Sequence, residues 1–130
     1  MDMKLELIPI PVTDVDRAKA FYAEALGFAV DVDVRPADGV RVVQLTPPGS
    51  ACSIGLGTGL PAYQAPRGSI RGLHLVVDDI EKARAGLIGR GVEVGEIQDV
   101  GGGVRYAGFE DLDGNGWTLQ VMPWRTGDAF

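Results

Sequence analysis

Gly72-Leu-His-Leu-Val-Val-Asp-Asp79 decides how this chain folds. It is a short apolar run, rich in strand-forming residues and closed by two aspartates, so it reads as a β-strand running into a helix start. Asp78 and Asp79 supply the cap chemistry that the free N–H groups of a first helical turn require. The stretch also holds the single histidine of the chain, His74. It has an echo near the start, Leu7-Ile-Pro-Ile-Pro-Val-Thr-Asp14, which aligns with it without a gap. The match continues, with Val15-Asp-Arg-Ala-Lys-Ala20 falling on Ile80-Glu-Lys-Ala-Arg-Ala85 and Gly49–Ile54 falling on Gly114–Leu119. A repeat of half the chain length predicts two similar modules.

Working outward, each half reads as β-α-β-β-β. In the first, strands are expected at 5–12, 29–34, 40–46 and 51–57, with a helix over 15–25 ended by Gly27. In the second they are expected at 70–77, 92–97, 105–110 and 117–122, with a helix over 80–89 ended by Arg90-Gly91. Pro36–Gly39, Pro47–Ser50 and Asp113-Gly-Asn115 carry turn chemistry. The expected organisation is one domain: module one at 4–57, a connector at 58–69, module two at 70–122 and a tail at 123–130. A four-stranded sheet buries one face under its helix and leaves the other to curve around a cavity. The fold class is therefore α+β, two βαβββ modules forming a curved mixed sheet with the helices outside.

Composition narrows the function. The net charge is −6 and the basic residues are scattered, a poor match to nucleic acid or an anionic membrane surface. No apolar run reaches the ~20 residues needed to cross a bilayer, and the start lacks the pattern of a secretory signal, so a cytoplasmic location is expected. Cys52, the lone cysteine, reads as a small apolar side chain, and no CxxC is present. Gly101-Gly-Gly103 is not a phosphate loop, because neither a helix start nor a Lys-Ser/Thr pair follows it.

The run Val12-Thr-Asp-Val-Asp-Arg-Ala-Lys-Ala-Phe-Tyr22, with Leu26-Gly-Phe28, resembles the opening of the vicinal oxygen chelate (VOC) superfamily. Phe109-Glu-Asp-Leu-Asp-Gly-Asn-Gly-Trp117 is similar to its closing motif. That group includes glyoxalase I, extradiol dioxygenases and bleomycin-binding proteins. The resemblance implies metal ligands, His or Gln on the first strand and Glu on the last strand of each module. Carried over by position, these fall on Leu7, Gly72, Ser53 and Thr118. Leu and Gly have no donor atom, and Ser and Thr hydroxyls are weak ligands for divalent transition metals. No cofactor is expected, with a divalent metal kept as an alternative.

Strand alternation places Leu7, Pro9 and Pro11, then Gly72, His74 and Val76, on the inner faces, together with Ser53, Gly55, Thr118, Gln120 and Met122. His74, Gln120, Thr118, Ser53, Leu7 and Gly72 are the candidate ligand-binding residues, and His74 is the one candidate for catalysis. Periodicity does not fix the phase of Gln44 and Tyr106. It sets Glu6 in the wrong phase for the cavity and Asp111 in a turn. Tyr63, Trp124 and Phe130 are aromatic groups that could cover a pocket or a dimer interface. The expected function is binding of a small organic molecule by a homodimer. The alternative is a VOC-fold enzyme (a lyase, isomerase or dioxygenase-like protein) with a displaced site.

Overall fold

A computed structural model describes residues 1–125 of the chain, and Phe130 lies outside the described residues. The elements are β1 (Leu7–Pro9), α1 (Val15–Ala20), β2 (Ala29–Ala37), β3 (Val40–Thr46), β4 (Ser53–Thr58), β5 (Leu73–Val76), α2 (Ile80–Gly89), β6 (Gln98–Asp99), β7 (Arg105–Glu110) and β8 (Gly116–Val121). They build two four-stranded sheets, ordered β1-β4-β3-β2 and β5-β8-β7-β6. In each, the first and last strands pair parallel and the other pairs are antiparallel. This is the α+β, twice βαβββ fold expected from the repeat.

The chain divides into two compact units. The first holds Met1–Ile70 together with Leu112–Asn115, and the second holds Arg71–Asp111 and the chain from Gly116 onward. The turn before β8 thus belongs to the first unit. Its Asn115 is fully buried, donates Nδ2–H to the Pro11 carbonyl at 2.9 Å and accepts from the Ile70 N–H at 3.3 Å. Asp113 accepts from the backbone N–H of Thr13 at 3.0 Å and from its hydroxyl. Pro11 is therefore buried beyond the end of β1, not on a strand face as alternation suggested.

Both helices start where the aspartates require. Asp14 accepts from the Arg17 N–H and Asp79 from the Lys82 N–H. These caps satisfy otherwise unpaired donors and contribute about 1 kcal/mol each. α1 continues into a π-helical turn over Phe21–Ala25, closed by Leu26 N–H to the Phe21 carbonyl. That turn sets Tyr22, which is fully buried, against Phe28 at 5.7 Å between rings. Val15, Ala18, Val43, Leu45, Ile54 and Leu56 complete the core of the first unit. Ile80, Leu87, Ala107, Phe109, Trp117 and Leu119 form that of the second, with Phe109 and Trp117 stacked at 6.3 Å.

Several strand limits differ from expectation. β1 is short because Pro9 and Pro11 cannot donate to a ladder. Pro36 lies inside β2, which is tolerated because β2 is an edge strand. The strand expected over 92–97 is reduced to a single bridge, Val94 to Phe109. The Arg84 side chain donates to the carbonyls of Gly95 (2.7 Å) and Val94 (3.3 Å), taking acceptors that a longer ladder would use.

Candidate functional site

Paired residues of adjacent strands point to the same side of a sheet. In the second unit, His74 pairs with Thr118 and Thr118 with Gly108, while Val76 pairs with Gln120 and Gln120 with Tyr106. Gln98 of β6 pairs with Tyr106. All of these share the face turned away from buried Trp117 and Leu119. A cavity of about 490 Å³ lies on this face, lined by His74, Gly95, Glu96, Gln98, Tyr106, Gly108 and Thr118. Tyr106, whose phase the sequence left open, is thereby placed in the site.

The imidazole of His74 is held on two sides. Its Nδ1 hydrogen-bonds the side-chain oxygen of Gln120, and its ring meets Tyr106 edge to face at 5.5 Å and 84°. Gln120 is buried, and its amide nitrogen points to Met122 Sδ at 3.6 Å. Among the described residues that line the cavity one is charged, Glu96, and none is Lys or Arg. Arg105 on β7 alternates to the opposite face and pairs with Glu81 of α2. This charge pair holds the Glu81 carboxyl below its ordinary range. The site is a weakly polar concavity with an aromatic wall and a single acidic side chain among its described residues.

The six sequence candidates fall in both units. His74, Thr118 and Gln120 share the second sheet. Gly72 is exposed and precedes β5. Its φ of +79° turns the chain off the strand path, so β5 begins at Leu73. Leu7 and Ser53 pair with each other in the first unit. There, Thr46 donates its single hydroxyl proton to Asp31, so the Ser53 hydroxyl donates to Thr46 at 2.6 Å. Glu6 is not on the helix side, because it accepts from Gln44 at 3.1 Å and Gln44 pairs with Gly55. Asp111 is buried at the end of β7.

Register revises one equivalence. Leu7 pairs with Ser53, but His74, not Gly72, pairs with Thr118. Judged from the last strand, His74 holds in module two the place that Leu7 holds in module one. The repeat aligned by its helix caps hid this, because the path from Leu7 to Asp14 is two residues longer than that from His74 to Asp79.

The inner face of the first sheet is covered by its own connector. A short 3₁₀ turn, Pro61–Tyr63, seats the Tyr63 ring against Gly55 and Gly57, beside Leu7. A Cβ on Gly57 would stand 2.6 Å from the Tyr63 ring and closer still to the Arg41 carbonyl oxygen. Burial pushes the Tyr63 phenol above its ordinary pKa. Cys52 is half-buried, and burial, then the charge of Glu6, push its thiol above its ordinary pKa. Trp124 is 67% exposed.

These residues do not fit a divalent metal. Leu7 has no donor, the Ser53 hydroxyl is engaged by Thr46, and one ring nitrogen of the single imidazole is committed to Gln120. Among the described residues no three His, Cys, Asp or Glu side chains come together in a metal-holding group.

A twice-repeated βαβββ unit with a concave, ligand-sized face defines the glyoxalase-like class of proteins. The family model of the Glyoxalase/Bleomycin resistance protein/Dioxygenase superfamily matches residues 4–119, and the chain belongs to that family. Among solved structures it is similar to TnmS3, an antibiotic binding protein from Streptomyces sp. CB03234, at 36% identity and a TM-score of 0.81 over 93% of this chain and 97% of that one. It is also similar to a glyoxalase/bleomycin resistance protein from the same organism, at 38% identity and a TM-score of 0.74 over 89% of this chain and 98% of that one. A superfamily member from Sphaerobacter thermophilus DSM 20745 is 30% identical with a TM-score of 0.80, over 92% and 98% of the two chains. The comparison with curated proteins returned no match.

Proposed function

We propose that this protein binds a small organic molecule with an aromatic portion, in the cavity on the second sheet, without help from a metal. The observation that carries this is the site itself: about 490 Å³ of concave surface, walled by Tyr106 and His74 and floored by Gly108 and Thr118. A ligand of two or three fused rings fits that volume, with polar groups on the rim to fix its orientation. The likeness to an antibiotic binding protein at 36% identity supports the same direction.

A thermal-shift and calorimetry series with two- and three-ring aromatic compounds tests this. A true ligand at a hundredfold over its Kd should stabilise the fold by about 2.7 kcal/mol. Absence of stabilisation across the series would sink the proposal. Elemental analysis finding one Zn, Ni, Fe or Mn per chain would overturn the metal-free part.

A second function, enzymatic turnover with His74 as a base, is favoured by one observation, the orientation of its ring by Gln120. Its signature would be product formation that is lost in His74→Ala while binding persists. Assembly as a homodimer is also proposed, supported by the exposed Val30, Val32 and Val34 on β2. Light scattering that gives the monomer mass would remove it.

A further inference from the structure

The tautomer of His74 follows from its surroundings and narrows the ligand. The Gln120 amide has two ends. One faces Met122 Sδ at 3.6 Å, and a thioether sulfur can accept a hydrogen bond but never donate one. The NH₂ group therefore belongs on that side and the carbonyl oxygen on the His74 side, as observed. A carbonyl oxygen only accepts, so His74 Nδ1 carries the proton and donates it. In the neutral ring Nε2 is then an unprotonated acceptor. Gln120 is 5% exposed and so is held in place to enforce this arrangement.

The charge of the rest of the lining agrees in sign. Glu96 is an acceptor, and among the described residues that line the cavity none is Lys or Arg. The Gly95 backbone has no free polar group, because its N–H is bound by the Gly108 carbonyl at 2.8 Å and its carbonyl by Arg84 at 2.7 Å. Gln98, Tyr106 and Thr118 offer neutral donors, but no cationic side chain among these residues offsets the charge of an anion such as a carboxylate or phosphate, and Glu96 repels it.

We infer that His74 reads the ligand as a hydrogen-bond acceptor through Nε2, so that the site selects aromatic molecules bearing a phenol- or enol-type hydroxyl and rejects both their O-methyl ethers and anionic analogues. Gln120 is the positioning residue that sets this preference. The inference rests on the proposed binding function and specifies its ligand class. The hydroxyl proton is shared with Nε2, and no bond to carbon is made or broken.

The test compares 2-naphthol, 2-methoxynaphthalene and 2-naphthoate by calorimetry on the full chain. The hydroxyl compound is expected to bind about tenfold more tightly than its ether, the effect of one well-placed hydrogen bond, with the carboxylate weaker than either. His74→Phe, which keeps a ring in the wall and removes Nε2, should lower 2-naphthol binding to the level of the ether, and the urea-unfolding midpoint of the variant reports that it is folded. Gln120→Met should erase the hydroxyl-over-ether ratio. A structural role alone would weaken all ligands together and leave the ratio intact, which would overturn the inference. Equal binding of naphthol and ether by the unaltered protein overturns the inference while the binding function stands. Failure of all three to bind removes both.

Discussion

At the residue scale the two sheets put side chains of opposite character in comparable places. The first has Gly55 and Gly57 where the second has Gln120 and Met122, and the space is filled by Tyr63. Two substitutions separate the causes. At Gly55 an added Cβ would meet the Tyr63 hydroxyl at 3.0 Å and the Leu7 methyls at 3.3 Å, all flexible side-chain ends. At Gly57 it would also meet the Arg41 backbone carbonyl, which cannot move without breaking the ladder. Gly57→Ala should therefore cost about 2–3 kcal/mol in urea unfolding, whether or not Tyr63→Ala is also present. Gly55→Ala should cost about 1 kcal/mol, and Tyr63→Ala should remove most of that penalty. If Tyr63→Ala relieves Gly57→Ala as fully as it relieves Gly55→Ala, the ring and not the Arg41 carbonyl is what excludes a side chain there.

Elements in the first unit are fastened by charge and by one amide. Arg41 on β3 is 8% exposed and donates to both carboxylate oxygens of Asp33 on β2 (3.0 and 2.9 Å) and to Asp16 on α1 (2.6 Å). Lys19 adds a contact to Asp33 at 2.7 Å. The hydrogen bonds from Arg41, then those from Lys19, hold the Asp33 carboxyl far below its ordinary range. A carboxylate with a depressed folded-state pKa stabilises the fold above the unfolded-chain value near pH ~4 and loses that contribution as the pH falls further. The melting-temperature gap between the parent and Asp33→Asn should thus be largest at neutral pH and narrow steadily as the pH falls from about 5 to about 2. A gap that stays constant over that window would show that Asp33 acts by shape alone. Asn115 is the second fastening. Asn115→Ala leaves the Pro11 carbonyl and the Ile70 N–H without their partner and should cost about 2–3 kcal/mol in denaturant unfolding.

At the scale of the whole molecule, the proposed site lies within one unit. Hydrogen exchange with bound 2-naphthol should gain protection over 73–76, 105–110 and 116–121, with little change over 40–58. Protection gained first in the 40–58 hairpin would move the site to the sheet that Tyr63 covers. Much of this plan was legible in the sequence. The period of half a chain, the Asp14 and Asp79 caps, and the alternation on β5 and β8 are local patterns, written in neighbouring residues and readable without coordinates. They placed His74, Thr118 and Gln120 on one face. Pairing register, the seat of Tyr63, the removal of the 92–97 strand by Arg84 and the burial of Pro11 under Asn115 join residues far apart in the chain. No periodicity encodes them, because each depends on which backbone groups and cavities the fold leaves free. The sequence by itself determined the family, the two modules and the lone histidine. Only the tertiary structure decided that His74, not Gly72, stands opposite Thr118, and that Gln120 orients its ring, because strand register and side-chain hydrogen bonds are set by packing across the sheet.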